Sequence, residues 1–502
     1  MDSIFSGIMV GSAALFDPMV IGLIFLGTVF GVVIGSLPGL TSTMGVALLV
    51  PVTFSMPPVY GLSLLGAIYC SSTYAGAISA VLINIPGTPA NCSTLLDGFP
   101  MTKKGQAGLA LALATAASAI GGILSNVALL FLAPPLASLA LMFGPMEYFL
   151  IALFGVSVIA SLSEQNMIKG FISGVAGLFL ATIGMHPVTG DVRFTMGIPE
   201  LFSGLPLVVA LIGLYSIPEV ITSLVEKTGP IESASTQVRG VFGQMMQIFR
   251  HKLVVFKSSI IGIIVGIVPG AGSSIAGFLA YDHVKKTSKD PASFGQGNPD
   301  GVVSSETANN AVVGGSLIPT LTLGIPGNAV SAVLLGGLMI HGLKPGPELF
   351  TQNMDVTYAF IMSMFVSNLA FIPIGFLVAK FGTNLIKTPA SILGPLIVVL
   401  GVIGSYALNT SLVDVWIMLA VGMLGYLMKV FDVPREPLVL GLVLGSMAEG
   451  ELARALSLEH GSVAALMESM FTTPVALVII GLMALSIGQG VRTQLKARRT
   501  SG

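Results

Sequence analysis

The feature that most constrains this chain is a series of apolar runs, many long enough to cross a bilayer, broken by proline–glycine pairs. Runs lie at 19–37, 59–85, 108–132, 148–162, 168–185 and 205–225. They resume at 253–268, 311–325, 358–378, 392–408, 415–428, 438–447 and 475–487. About 20 apolar residues cross the hydrocarbon core as a helix. Two further runs, 44–54 and 330–340, are too short to cross and read as half-helices. The runs are continuous rather than alternating, which excludes an outer-membrane barrel. Only 9% of the 502 residues are charged, too few to cover a water-soluble fold. Mean hydropathy is +0.93. The chain is expected to be an all-α polytopic membrane protein with roughly 11 to 13 spans.

Several functions fall away. A net charge of −1 gives no basic surface for nucleic acid. Cys70 and Cys92 form no CxxC and no disulfide framework. No basic residue precedes the first apolar run, so no cleavable leader is expected. There is no HExxH, Walker loop or GxSxG elbow, and the five histidines are scattered. No enzyme, metal centre or cofactor is expected. Without a nucleotide loop, transport would draw on an ion gradient or a separate subunit.

The breaks recur in order. Gly31-Val-Val-Ile-Gly35-Ser-Leu-Pro38-Gly39-Leu-Thr-Ser42 matches Gly262-Ile-Ile-Val-Gly266-Ile-Val-Pro269-Gly270-Ala-Gly-Ser273, at an offset of 231. Ile85-Pro86-Gly87-Thr88 matches Ile325-Pro326-Gly327-Asn328, at an offset of 240. The reading is two repeats: an N-terminal half over 1–225 and a C-terminal half over 253–490. They are joined by a basic linker, 226–252, and followed by a basic tail, 491–502. No Lys or Arg occurs before Lys103, whereas the second half follows the basic stretch. By the positive-inside rule the linker and tail are cytoplasmic and the repeats inverted. Lys285, Lys286 and Lys289, in the polar loop 282–305, run against simple alternation.

Inverted repeats with broken helices describe a secondary transporter. A break frees N–H groups at one half-helix, which suit a carboxylate, and carbonyls at the other, which suit a dehydrated sodium ion. The expected substrate contacts are Pro38, Gly39, Thr41, Ser42, Thr88 and Asn91, with Gly272, Ser273, Ser274 and Asn328 in the other half. The expected ion-coupling set is Ser72, Asn84, Pro86, Gly87, Pro269, Gly270, Glu306, Asn309, Asn310, Pro326 and Gly327. Each Ser or Thr has a plainer alternative, back-bonding within its helix. Glu306 is the best coupling carboxylate, its alternative being an acid that favours a helix N-terminus. Glu147, Glu219 and Asp414 read as interfacial residues at run ends.

These motifs resemble the large permease subunit of the bacterial tripartite tricarboxylate transporters. The similarity runs from about Phe16 to Gly490. It rests on Gly35-Ser-Leu-Pro-Gly-Leu-Thr-Ser-Thr-Met-Gly45, Asn84-Ile-Pro-Gly-Thr-Pro-Ala90 and Val268-Pro-Gly-Ala-Gly-Ser-Ser-Ile-Ala276. Ser305-Glu-Thr-Ala-Asn-Asn310 and Leu323-Gly-Ile-Pro-Gly327 complete it. The resemblance implies a bacterial inner-membrane permease with two partners, a small membrane subunit and a periplasmic solute-binding protein. It implies uptake of a carboxylate solute with sodium or protons as coupling ion, by an elevator-type motion within membrane lipid. The rival expectations are an anion channel and a carboxylate carrier that needs no binding protein.

Overall fold

A computed structural model describes residues 2–162, 167–186, 188–225, 241–381 and 390–500. The first half holds α1 (Asp2–Ala14), α2 (Pro18–Ser36), α3 (Ser42–Thr53), α4 (Pro58–Ile83), α5 (Leu95–Lys103), α6 (Ala107–Ala140), α7 (Pro145–Leu162), α8 (Met167–Ala181) and α9 (Leu207–Val225). The rest holds α10 (Val241–Met245), α11 (Lys252–Ile267), α12 (Gly272–Thr287), α13 (Pro299–Leu323), α14 (Ala329–Ile340), α15 (Glu348–Thr351) and α16 (Met354–Phe381). After these come α17 (Ala390–Asn409), α18 (Leu412–Val430), α19 (Glu436–Leu458), α20 (Val463–Thr472) and α21 (Pro474–Thr500). A two-stranded hairpin, β1 (Gly184–Met185) with β2 (Val192–Arg193), is the one sheet among the described residues. The chain is therefore an all-α polytopic membrane protein.

Among the described residues, α2, α4, α6, α16 and α18 are long and apolar enough to cross a bilayer. The α20–α21 pair, bent by 83°, would be a sixth span. Helix α13 does not qualify on hydropathy, because it carries Ser304, Ser305, Glu306, Thr307, Asn309 and Asn310. All six are nonetheless fully buried. Polar residues at membrane depth need protein on every side, and α13 has α6, α11 and α12 packed along it. Helix α4, equally buried, is flanked by α2 and α16. Helices α9, α18 and α19 belong to a second region, with α7 and α8 against α19.

The two short apolar runs are helices of 12 residues each, α3 and α14. At 1.5 Å per residue such a helix is about 18 Å long, short of a membrane core of about 30 Å. Of the expected linker, 226–240 lies outside the described residues, and α10 and a 3₁₀ turn, Met246–His251, occupy its end. The residues expected as a tail continue α21 to Thr500, and 501–502 lie outside the described residues.

Candidate functional site: a cavity at the helix breaks

Three of the four Pro-Gly pairs end one α-helix and start another; Pro86-Gly87 ends α4 and leads into a 3₁₀ turn, Pro89–Asn91. Helix α2 stops at Ser36, Gly39 turns at φ 89°, and the Thr41 side chain accepts from Met44 N at 3.2 Å to cap α3. Helix α11 stops at Ile267, and Gly270 and Gly272 turn at φ 80° and 66° before α12. Helices α4 and α13 end on left-handed residues, Asn84 at φ 58° and Gly324 at φ 70°. These lie 240 positions apart, the offset of the motifs that follow.

Close backbone approach fixes the glycines of the second pair. A Cβ on Gly87 would collide with the Gly35 carbonyl oxygen; one on Gly327 would lie 2.5 Å from that of Gly266. The contacted glycines are themselves 231 positions apart. The freed amides are used: Gly270 N–H donates to Gly327 O at 2.8 Å and Gly87 N–H to Gly76 O at 3.2 Å.

The breaks border a cavity of about 630 Å³. Thr41, Ser42, Thr88, Gly272, Ser273, Ser274 and Asn328 line it, as does Gly270 from the ion-coupling set. Pro38, Gly39 and Asn91 are not on its wall. The N-termini of α3, α12 and α14 meet here, so the wall carries positive dipole ends and hydroxyl donors. Asn328 caps α14, its Oδ1 accepting from Ser331 N at 2.9 Å and its Nδ2 donating to Tyr69 Oη at 2.7 Å. Tyr69, also on the wall, pairs with Ser316 at 3.0 Å.

Two cations that the local sequence does not single out, Arg435 and Lys429, also line the cavity, together with Glu219. Arg435 donates to Glu219 Oε1 at 3.0 Å, and Lys429 Nζ lies 3.6 Å from Glu219 Oε2. The Arg435 guanidinium sits 5.5 Å over the Tyr215 ring. Glu219, expected at an interface, therefore holds two cations at the cavity. Asp432 and Glu436 border the cavity too but are exposed. One signal was present: Lys429-Val-Phe-Asp-Val-Pro-Arg435 interrupts an apolar stretch with four charges and a proline when Glu436 is included. Glu147 and Asp414 are both buried; Glu147 accepts from Gly144 N at 2.8 Å and Asp414 from Asn409 at 2.7 Å.

Behind the cavity sits Glu306, fully buried. It stands seven residues into α13, beyond the first turn where a helix N-terminus favours an acid. Oε1 accepts from Asn91 Nδ2 at 3.0 Å and from the Thr94 hydroxyl; Oε2 accepts from Ser118 Oγ at 2.9 Å. Asn309 Nδ2 donates to Thr73 O at 3.2 Å, and Asn310 Nδ2 to Glu306 O at 3.3 Å. Asn309 Oδ1, Asn310 Oδ1 and the Ser305 and Thr307 hydroxyls are buried without a hydrogen-bond partner. Ser72 back-bonds within its helix, to Tyr69 O at 3.4 Å. The expected ion-coupling residues thus split between the break backbones and this polar cluster. No group of three or more His, Cys, Asp or Glu that could hold a metal occurs among the described residues.

Residues 21–440 match the tripartite tricarboxylate transporter TctA family. An uncharacterized 52.8 kDa protein in the TAR-I ttuC' 3' region of Agrobacterium vitis is 34% identical over 489 residues, 97% of this chain and 96% of that one. A second Agrobacterium vitis protein, in the TAR-II ttuC' 3' region, is 33% identical over 238 residues, 47% of this chain and 97% of its own length. No solved structure matches. The chain belongs to the tripartite tricarboxylate transporter TctA family: it is a multi-pass membrane transport protein and not an enzyme.

Proposed function

We propose that this TctA-family protein is the large permease subunit of a binding-protein-dependent secondary transporter. It imports a carboxylate across the bacterial inner membrane, coupled to a sodium or proton gradient. Its partners are a small membrane subunit and a periplasmic solute-binding protein that delivers the anion. The observation that carries this is the cavity wall: three helix N-termini with Thr41, Ser42, Ser273, Ser274 and Asn328, together with Arg435 and Lys429. Amide and hydroxyl donors at positive dipole ends stabilise an anion without burying a full opposite charge. Arg435 offers a planar fork that a carboxylate fits in two-point fashion.

The chain works as two inverted halves, 1–225 and 253–490, with the four breaks on a body that moves against the region of α9, α18 and α19. The recurring glycine contacts support the two halves. Gly87 meets the Gly35 carbonyl as Gly327 meets that of Gly266. Gly31 lies against Ile68 and Ser71, as Gly262 lies against Ala308 and Ala311, each partner 240 positions on.

The test is uptake of labelled citrate and other carboxylates into proteoliposomes holding this chain and its small partner, with the binding protein and a sodium gradient each present or absent. Uptake that needs the binding protein and responds to sodium or to a proton gradient is expected. Uptake indifferent to all of them would instead favour a channel or a self-sufficient carrier.

A further inference from the structure

Glu306 is not on the cavity wall, yet two residues connect it to that wall. Thr88 lines the cavity, and its hydroxyl donates to Asn91 Oδ1 at 2.6 Å. Asn91, fully buried, donates from Nδ2 to Glu306 Oε1 at 3.0 Å and to Thr73 O at 3.3 Å. Thr94 and Ser118 donate to the same carboxylate. Among the described residues no Lys, Arg or His pairs with Glu306. Among the described residues Tyr74 of α4 is a titratable neighbour that interacts with it electrostatically, and its hydroxyl is paired with Thr115 at 2.9 Å.

A carboxamide has an acceptor at one end and donors at the other. An ionised carboxylate accepts only, so Glu306 turns the donor end of Asn91 toward itself. The acceptor end then faces Thr88 and takes up its single hydroxyl proton. Thr88 is left showing the cavity lone pairs alone, which repel a carboxylate. A positive charge at Glu306, either a proton on a carboxylate oxygen or a sodium ion beside it, reverses the preference. The acceptor end of Asn91 is then drawn to Glu306, its NH₂ turns to Thr88, and the Thr88 O–H is released toward the cavity. The rotation loses the bond to Thr73 O, now at 3.3 Å from Asn91 Nδ2, and turns the amide oxygen toward that carbonyl, a cost the cation's pull must exceed; Thr73 O still accepts from Asn309.

We propose that Asn91 is a rotating amide relay through which neutralising Glu306 switches Thr88 from an anion-repelling acceptor to an anion-binding donor. This rests on reading the cavity as a carboxylate site and supplies the sign of its coupling. Cation at Glu306 and anion at Thr88 favour the same amide orientation, so each raises the affinity of the other. Asn91 and Glu306 are positioning residues here, and Thr88 is the group that touches the anion.

The experiment measures binding of labelled citrate and succinate to the purified full chain in two arms, varied sodium at fixed pH and varied pH without sodium. Wild-type affinity is expected to rise with the cation in one arm, which identifies the source. Glu306→Gln should lose that dependence. Thr88→Val should lose both the dependence and about tenfold in affinity, the loss of one hydrogen bond to a charged group. Thr88→Ser should restore what Thr88→Val removes. Full cation dependence in E306Q, or wild-type behaviour in T88V, would overturn the relay. A double-mutant cycle on thermal stability, E306Q with T88V, decides the relay without any anion. Non-additive effects support it, and strict additivity overturns it. If the wild type binds neither anion, the carboxylate reading fails while the cycle still judges the relay.

Discussion

Helices α4 and α13 carry the same backbone plan and opposite chemistry. Position 306 of α13 is the buried glutamate, contacted by Ser118 of α6. The position 240 earlier in α4 is Gly66, where a Cβ would meet Phe360 and Met364 of α16. Ser118 and Met364 themselves correspond. Gly121 packs on the Thr307 carbonyl, and 246 residues on, the Ser367 hydroxyl donates to the Ala67 carbonyl at 3.1 Å. A neighbouring pair trades roles the other way. Tyr74 of α4 stacks on Phe371 at 4.5 Å, whereas Gly314 of α13 donates its N–H to Ser125 Oγ at 3.2 Å. The close backbone contacts tolerate no change, so they are alike in both halves. The side chains facing α6 and α16 are free to differ, and of these two helices α13 alone carries a buried carboxylate there. The lesson is that pseudo-symmetry here belongs to the backbone, while the buried carboxylate belongs to one half.

The shared backbone contacts give the largest expected effects. Gly87→Ala and Gly327→Ala each push a methyl into a carbonyl oxygen of the neighbouring helix, which no rotamer can relieve. Overpacking of this kind costs about 1–3 kcal/mol or more, and it moves the break that borders the cavity. Both variants should lose at least about 90% of uptake at equal membrane insertion, a ratio worth about 1.4 kcal/mol. Equal losses would sharpen the likeness of the halves. Near-normal uptake in one variant would break it.

Next come the charged wall residues, which have no counterpart at the breaks. Arg435→Gln should weaken carboxylate binding about tenfold or more, and Arg435→Lys should recover only part, because a lysine lacks the two-point fork. Unchanged affinity in R435Q would confine Arg435 to fastening α19 to α9 through Glu219 and the Leu214 carbonyl, to which it donates at 3.3 Å.

A third test makes one half imitate the other. Ser118→Ala removes a donor from Glu306 Oε2 and leaves a buried charge with one bond fewer, a cost of about 1–3 kcal/mol. Met364→Ala, at the matching place, leaves a cavity and costs more, about 2–5 kcal/mol. The two should differ in ion dependence. The S118A melting temperature should become more sensitive to pH or sodium than wild type, whereas M364A should shift by the same amount under all conditions. An identical ion response would remove the functional distinction between the halves.

What the sequence revealed, and what it hid, follows from range. The breaks were legible because Pro-Gly within an apolar run is a local event, and their pairing was legible because the spacing repeats. The hydroxyls at Thr41, Ser42, Ser273 and Ser274 were placed by standing next to those breaks. Arg435 and Lys429 were not, because their place on the wall depends on α18 and α19 lying beside α9, some 210 residues away in sequence. Asp97 was equally hidden. It is a buried acid whose Oδ1 accepts from Gly295, Gly297 and Asn298 N–H groups at 2.7–2.9 Å, tying the lysine-bearing loop to α5. Nothing local to residue 97 announces a partner 200 positions on. The Asn91–Glu306 bond is of the same kind.

The smallest effect is expected where the halves differ at their edges. The helix before each first break is clasped at its start to the helix before each second break. In the first half Tyr60 Oη of α4 donates to the Asp17 carboxylate at 2.7 Å, and Asp17 also caps α2 by accepting from Met19 N at 2.9 Å. In the second half His251 Nδ1 pairs with Asp300 of α13 at 2.5 Å, and Asp300 stands 240 positions after Tyr60. The acid has changed sides between the two clasps. The Tyr60 hydrogen bond, followed by the Met19 amide, holds the Asp17 carboxyl below its ordinary value. A lowered folded-state value means that stability is gained above the usual aspartate range and lost as pH falls through the folded value. Tyr60→Phe removes the larger cause and should flatten the acid limb of the melting curve, with a change of under about 2 °C near neutral pH for a half-buried pair near the chain's edge. A thermal-shift series from pH 3 upward on wild type and Y60F checks this, and an acid limb unchanged in Y60F would break the link between the Tyr60 hydrogen bond and the Asp17 carboxyl.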